Sequence, residues 1–569
     1  TAALMAMVSS IATAAFAERY DLNTGSVTVE TKDDGYTYVT QTDTKTGDFA
    51  QNSKGDTLDG YKDTDPKGVT ITSGGKQTSN TITVETAKDQ TTNVTLDKVD
   101  IEVDTAKTKS GAIEIKGDGN TNLELNGDNT VLVKNHWFED EHAAIEKADK
   151  YGNGTLTIKD DVNDDGKLLA GGYKDTSAIG GGGTADLCDT SNITITGGEI
   201  KAIAGYDGGA GIGGGYGGTG KNICIKGNAH VTAVSSAGAA IGGSIGSGNS
   251  VTITDDAVVD AYSAFAAAIG NGDQVGRSNE PTTITISGNA TVHAETSEGS
   301  CAIGTSRDGS LSDLTINIEK NANVTAIASI DRPAIGNAGC HGDTTTTINI
   351  TGGTVNAINS YGSDDPSYPN DGTGNYSPAI GGKIHSSNVD GDHTATCNVN
   401  INSSTGDTIV NAYIYGKGSG PAVGSATETT SYNPYNVEYQ YVPADSASYK
   451  ADGSSHFGER NSAIVNCYNN GTVKKENLKE KLDLPDTLDS NALNSIHNHH
   501  EITGGTLTKV VHNRKYMEKN PATDSNLKDE DLHDWQLVGD VVEPTLEKDG
   551  YADYVCRIDK CGQTKRVVL

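Results

Sequence analysis

Short runs of alternating apolar and polar residues follow one another along most of the chain. Examples are Ile82-Thr83-Val84, Ile113-Glu114-Ile115 and Leu123-Glu124-Leu125, in which apolar side chains stand at positions i and i+2. This spacing is typical of strands that have one buried side and one solvent-facing side. Gly, Asn and Asp separate the runs, and these residues favour tight turns. The pattern therefore predicts an all-β protein built from many short strands.

From Gly154 to Ser425 the runs form a three-part repeat. An Ile-x-Ile strand is followed by a Val-x-Ala strand and then by an Ala-Ile-Gly strand that ends in a glycine turn. The central residue of the third part recurs about every 30 residues, which is the mark of a repeat architecture. This residue is Ile179, Ile212, Ile241, Ile269, Ile303, Ile335 and Ile380, with Val423 in a weaker copy.

Three short strands per turn predict a right-handed parallel β-helix, a β-solenoid in which equivalent residues stack at about 4.8 Å. A β-propeller or a β-sandwich is the rival fold. Each repeat unit is too short for four long antiparallel strands, and equivalent residues recur in the same order, so parallel stacking is favoured. The 70 glycines and only 5 phenylalanines agree with many turns around a thin aliphatic core.

We predict five segments along the chain. Residues 1–17 resemble a signal peptide, because an apolar run ends in the small-x-small pattern Ala15-Phe16-Ala17. Residues 18–64 are predicted to cap the open end of the solenoid, and 65–470 to form the parallel β-helix. Residues 471–530 are predicted to be a polar linker with a short helix, from the spacing of Leu478 and Leu482. Residues 531–569 form a small C-terminal extension.

Charge narrows the choice of partners. The formal net charge is −33, so the surface repels nucleic acid and anionic lipid. No run after the signal peptide is long and apolar enough for membrane insertion. The export signal predicts an extracellular protein, either secreted or associated with the cell surface. An acidic chain can still bind an anionic polymer when calcium bridges the two sets of carboxylates.

The best candidate for a calcium site is an acidic stretch within the repeats. Asp161, Asn163 and Asp165 place oxygen ligands at alternate positions, and Gly166 follows where a calcium loop turns. The twelfth position, where a bidentate Glu would complete the loop, is Gly172. The alternative is a plain acidic turn.

Insertions that interrupt the repeat are candidates for ligand binding, because long excursions from a rigid scaffold often carry function. One lies between Ser360 and Tyr376, and a second, also rich in tyrosine, runs from Thr427 to Tyr449. The alternative is a flexible decoration. The predicted ligand-binding residues of the first insertion are Tyr361, Asp364, Asp365, Tyr368, Asp371 and Tyr376.

Two further groups of residues are candidates for a metal site or a catalytic site. The histidines His497, His499, His500 and His512 could bind a transition metal, although a solvated cluster in a polar segment is the simpler interpretation. Arg277, Arg307 and Arg332 lie at turns and could serve a polysaccharide lyase. No lyase signature surrounds them, and we assign no catalytic residue. The 8 cysteines are scattered and indicate no disulfide framework.

Several stretches resemble an extracellular carbohydrate-binding β-helix family with a pectate-lyase-like fold, found in clostridial and other Gram-positive gut bacteria. The resemblance is carried by Gly111 to Gly119, Leu123 to Gly127, Ala143 to Ile145 and Gly154 to Ile158. It implies calcium-dependent binding of acidic plant polysaccharides such as polygalacturonate. It supplies no ligand set for this chain.

The C-terminal extension resembles the short Trp/Cys-Gly modules that end many Gram-positive surface proteins. Trp535, Cys556 and Cys561-Gly562 carry this resemblance, but the two cysteines are further apart than is usual in such modules.

Three functions follow from the sequence. The first is binding of a polysaccharide or another glycan without cleavage, with calcium as a possible cofactor. The second is a structural stalk or adhesin that binds a host protein or mucin. The third is a pectate-lyase-like enzyme. The expected setting is the cell wall or a host surface.

Overall fold

The chain forms a parallel β-solenoid. The structure is a computed structural model. It describes residues 19–42, 49–50, 68–134, 141–244, 249–272, 280–297, 299–306, 312–329, 332–340, 344–360, 377–384, 396–401, 408–415, 423–427, 440–441, 447–449, 455–457, 464–469, 472–476, 482, 499–503, 506–512, 535–542, 549–556 and 564–568.

Three long sheets run along the solenoid, and each repeat unit contributes one strand to each sheet. Sheet 1 contains the Ile-x-Ile strands, sheet 2 the Val-x-Ala strands and sheet 3 the Ala-Ile-Gly strands. This confirms the predicted fold class and the order of the three strands within a unit.

Sheet 1 has 14 strands: Arg19–Asp21, Val69–Thr72, Thr91–Asp97, Asn120–Asn126, Leu156–Lys159, Thr190–Ile195, Gly220–Ile225, Ser250–Ile253, Thr282–Ile286, Leu314–Ile318, Thr345–Ile350, Thr396–Ile401, Ala447–Tyr449 and Ser455–Phe457. Sheet 2 has 12: Asp100–Asp104, Asp128–Lys134, Lys167–Gly171, Glu199–Ile203, His230–Ser235, Val258–Ser263, Thr291–Thr296, Asn323–Ser329, Gly353–Ser360, Thr408–Tyr415, Ile464–Asn469 and Thr506–His512.

Sheet 3 has 15 strands: Phe49–Ala50, Thr37–Thr42, Val27–Thr31, Ile82–Thr86, Ile113–Lys116, Ile145–Glu146, Ile179–Gly180, Ile212–Gly213, Ile241–Gly242, Ile269–Gly270, Ile303–Gly304, Ile335–Cys340, Ile380–Ile384, Val423–Thr427 and Gln440–Tyr441. Two smaller antiparallel sheets pair Thr472–Glu476 with His499–Thr503, and Trp535–Val542 with Tyr551–Cys556 and Thr564–Val568. Helical residues in the described part of the chain are Thr105–Thr108, the 3₁₀ turn Asp149–Tyr151 and Leu482.

The core is a set of aliphatic columns that run through the stacked coils. Ile223 pairs with Val251 and Val251 with Ile284, so the inward residues of sheet 1 lie directly above one another. These side chains are at most 1 % exposed. Burial of such a side chain contributes about 1.5–3 kcal/mol, so the columns supply most of the hydrophobic stabilisation.

A column of glycines forms the tightest contact between coils. Gly270 has φ +134°, and a Cβ atom on it would lie 2.0 Å from the carbonyl oxygen of Gly304 in the next coil. The same conformation and the same close approach recur along sheet 3 from Gly180 to Gly336. Glycine is therefore required at this position because no other residue leaves room for the neighbouring backbone.

The outer side of sheet 1 carries ladders of short polar residues. The amide of Asn349 donates to Asn317 Oδ1 at 2.8 Å, and the amide of Asn400 donates to Asn349 Oδ1 at 2.7 Å. Stacked amides can each donate to the next coil and accept from the previous one, so identical neighbours stabilise one another. Cys224 lies on the same outer side, as its place between Ile223 and Ile225 predicts.

Both ends of the solenoid carry antiparallel strands. Within the range predicted as a cap, Arg19–Asp21 and Val27–Thr31 pair in parallel with later strands, whereas Thr37–Thr42 pairs antiparallel with Val27–Thr31. At the other end Thr506–His512 pairs antiparallel with Ile464–Asn469. Such strands cover edges that would otherwise offer unpaired backbone groups.

Leu482, from beyond the repeats, packs on the outside of sheet 2. Ile203, Val234 and Tyr262 point outward but are at most 1 % exposed, and Leu482 is in the same apolar cluster. Lys201 Nζ donates to the Leu482 carbonyl oxygen at 3.0 Å. The sequence predicts a short helix from the spacing of Leu478 and Leu482: Leu482 is helical, Thr472–Glu476 before it is a strand, and Leu478 lies outside the described residues.

We expect Gly270→Ala to destabilise the solenoid by about 2–4 kcal/mol, because a methyl group must displace the next coil and φ is positive. Gly74→Ala is the matched control: Gly74 also has positive φ, +63°, but a Cβ there would meet nothing within 4 Å. The control should cost only about 1 kcal/mol. Urea unfolding followed by circular dichroism measures both. Equal losses would show that the contact between coils is unimportant.

Candidate functional site

The six ligand-binding residues predicted between Tyr361 and Tyr376 lie outside the described residues, so their role stays a prediction. The same holds for His497 and for two of the three arginines considered for a lyase, Arg277 and Arg307.

The predicted calcium ligands lie on an exposed turn between sheets 1 and 2, and each contacts a different partner. The Asp161 carboxylate is 2.8 Å from Lys159 Nζ. The amide of Asn163 donates to Asn126 Oδ1 at 2.7 Å. The Asp165 carboxylate accepts a hydrogen bond from a backbone N–H of the preceding coil at 3.4 Å.

Two other carboxylates fix the shape of this turn. Glu124 Oε1 accepts the backbone N–H groups of Asp161 and Val162 at 2.9 and 3.0 Å. Asp160 Oδ2 accepts the N–H of Gly166 at 2.7 Å. The turn is therefore held by protein groups, and calcium binding by Asp161, Asn163 and Asp165 stays a prediction.

Two exposed tyrosines lie at turns that flank sheet 3, on either side of Asp175. The N–H of Asp175 donates to the Tyr206 carbonyl oxygen at 2.8 Å, and its own carbonyl oxygen accepts the N–H of Tyr216 at 2.8 Å. The tyrosines are 42 % and 41 % exposed. The Tyr216 ring lies against Gly208, where a Cβ atom would be 2.4 Å from Cδ2. We call Asp175, Tyr206, Asp207 and Tyr216 the tyrosine–aspartate surface.

The carboxyl groups of Asp175 and of the nearby Glu141 have raised pKa values. Burial raises the pKa of Asp175, the nearby Lys174 ammonium lowers it, and Asp207 raises it again. Burial and then Asp175 raise the pKa of Glu141 to about 7. The side chains of Glu141 and Asp175 both lie against Gly183. There is room for them because glycine has no side chain.

A buried cluster of ionisable side chains lies next to this surface, on the first Ile-Glu strands of sheet 3. Glu114 and Glu146 are stacked in register and are 5 % and 0 % exposed. His142 Nδ1 is 3.0 and 2.9 Å from the two oxygens of Glu146. Lys116 Nζ is 2.8 Å from Glu114 Oε2. Burial raises the pKa of Tyr151, and the carboxylates of Glu146 and Glu114 raise it further.

The cluster continues into the tyrosine–aspartate surface through a glycine turn. A Cβ on Gly182 would lie 3.1 Å from Glu146 Oε2, and the N–H of Gly183 donates to the Glu141 carbonyl oxygen at 2.7 Å. The buried cluster and the exposed surface therefore belong to one region of the solenoid.

No family model, curated protein or solved structure matches the chain. The β-solenoid itself is confirmed, whereas the resemblance to a carbohydrate-binding family stays a prediction. Among the described residues, no helix has the length and apolar character needed to cross a membrane.

Sequence reasoning missed both parts of this region, but one signal was present. Ala112-Ile113-Glu114 and Ala144-Ile145-Glu146 are two copies of the recurring phrase with Glu in place of Gly. Aligning them would have stacked the two carboxylates. The approach of His142 and of the two tyrosines depends on turn geometry, which the repeat pattern does not encode.

We expect Asp175→Asn to gain stability relative to the wild-type protein as pH rises from about 4 to about 8. The raised pKa means that the folded state holds the proton more tightly than the unfolded chain. The resulting stabilisation is complete below the unfolded pKa and is lost as pH rises through the folded pKa. Asparagine stays neutral throughout.

Urea unfolding midpoints at a series of pH values measure this difference. Asp256→Asn, at an exposed turn of a later coil, is the control and should run parallel to the wild type. A constant offset between Asp175→Asn and the wild type would contradict the prediction.

Proposed function

We propose that this protein is a carbohydrate-binding β-solenoid that holds a polysaccharide without cleaving it. The observation that carries the proposal is that two exposed tyrosines lie on either side of Asp175 on the tyrosine–aspartate surface, which also contains Asp207. Tyrosine offers an apolar ring face and a polar hydroxyl, which suits a sugar ring with its C–H face and its peripheral hydroxyls. Carboxylates accept hydrogen bonds from those hydroxyls.

The rigidity of the surface supports binding. Both tyrosines are fixed through backbone hydrogen bonds to Asp175, and the Tyr216 ring packs against Gly208. The backbone of this surface is therefore fixed before a ligand docks, which lowers the entropic cost of binding. The exposure of the two rings is consistent with contact with a large external polymer rather than with a small enclosed molecule.

The negative charge of the surface determines which polysaccharides can bind directly. The surface carries Asp175 and Asp207, and the whole chain has a net charge of −33. A neutral polysaccharide can bind directly through its hydroxyl groups. An acidic one, such as polygalacturonate, needs a bridging cation, and calcium is the ion we propose because it prefers carboxylate oxygens. In this proposal the protein acts outside the cell, at a cell wall or a host surface.

Affinity electrophoresis of the full chain tests the proposal. Gels contain polygalacturonate, a neutral plant polysaccharide or no polymer, each in calcium and in chelator. We expect retardation by at least one polymer, and retardation by polygalacturonate only in calcium. Tyr206→Ala and Tyr216→Ala should each weaken binding by about tenfold or more, as for aromatic residues at the centre of an interface.

Tyr36→Ala is the matched control, because Tyr36 is 40 % exposed and lies in the N-terminal coil, away from this surface. It should bind like the wild type. Absence of retardation by any polymer would refute the proposal and favour a stalk or adhesin. Release of unsaturated sugar products in the same samples would show a lyase instead.

A further inference from the structure

We infer that Glu114, His142 and Glu146 form a binding site for one divalent transition-metal ion, with Zn²⁺ as the ion that fits best. One ligand atom from each residue lies within 4.8 Å of the others, and all three residues are buried. This site is separate from the calcium site predicted at Asp161, and it does not depend on the proposed carbohydrate binding.

The backbone places the two carboxylates for this purpose. Glu114 and Glu146 are direct partners in the parallel ladder of sheet 3, so their side chains leave the sheet in the same direction one coil apart. His142 Nδ1 is 2.9 Å from Glu146 Oε2. Ligands of a tetrahedral zinc ion at about 2.0 Å are about 3.3 Å from one another. His142 and Glu146 would separate by about 0.4 Å to admit the ion, and the Glu114 oxygen, which lies within 4.8 Å of the other two ligand atoms, would approach them by at most about 1.5 Å.

The charges at the cluster favour a cation. Two stacked buried carboxylates repel one another, and the nearest cation of sheet 3 is Lys116, whose side chain is 31 % exposed. The ammonium can turn toward solvent when a metal neutralises Glu114. A group that is not a metal ligand also orients Glu146: the N–H of Ala143 donates to Glu146 Oε2 at 3.0 Å. Such supporting hydrogen bonds are typical of metal sites.

The donor set indicates the class of metal. One imidazole nitrogen and two carboxylates suit Zn²⁺, whereas Ca²⁺ takes six to eight oxygen ligands. Burial of all three residues agrees with a structural ion more than with a catalytic one. A bound ion would link His142 to the preceding coil through Glu114, and so hold the segment that follows residue 140 against sheet 3.

Isothermal titration of the full chain with Zn²⁺ tests the inference. Other histidines, including His499 and His500, could also take up zinc, so the decisive quantity is the difference between variants. His142→Gln should lose one tight equivalent, with its affinity lowered by at least about tenfold. The matched control is His293→Gln, because His293 Nε2 also pairs with a single carboxylate, Glu295 Oε2 at 3.2 Å.

A variant that should bind zinc more tightly keeps the test informative if His142→Gln fails to fold. Lys116→Gln keeps all three ligands and removes the ammonium that competes for Glu114, so it should bind zinc more tightly and show a larger rise in Tm with zinc. The inference is overturned if His142→Gln and His293→Gln bind zinc alike while folded. It is also overturned if Lys116→Gln leaves zinc affinity unchanged, which decides the matter should His142→Gln fail to fold.

Discussion

The close approach of one glycine backbone to the next along sheet 3 constrains the whole solenoid. Each Ala-Ile-Gly strand brings its glycine against a carbonyl oxygen of the following coil, at a distance that excludes a side chain. This contact fixes the register of the third strand, and the Ile before it is thereby aimed into the core. The other two strands of a coil can then stack only in one register, which explains why the same inward residues recur along the whole rod.

Exact stacking means that every outward side chain lies directly above and below its counterparts in the neighbouring coils. Uncharged residues tolerate this well, as the asparagine ladder through Asn317, Asn349 and Asn400 shows. Charged residues do not, because like charges directly opposite one another are destabilising. The stacked pair Glu114 and Glu146 is therefore unusual, and the structure surrounds it with Lys116 and His142. This departure from the Ala-Ile-Gly repeat thus brings ionisable side chains together in the described part of sheet 3.

Much of this fold could be predicted from the sequence, because the periodic residues are also the buried ones. Ile241, for example, recurs with its equivalents and is 0 % exposed. The candidate site could not be predicted in the same way. Tyr206 and Tyr216 meet Asp175 only because turns of different length return to the same end of sheet 3. Tyr262 points outward on its strand yet is buried, because it packs in an apolar cluster on the outer side of sheet 2 and against the His293 ring.

The position of Leu482 on the outside of sheet 2 affects how the chain completes its folding. A solenoid whose coils contact only their neighbours can grow in order from one end as it is synthesised or exported. Lys201 and Leu482, however, are 281 residues apart in sequence and share a hydrogen bond. The apolar cluster on the outside of sheet 2 therefore gains Leu482 only after the chain has reached that residue. The coil that contains Lys201 completes its contacts long after its own strands have been made.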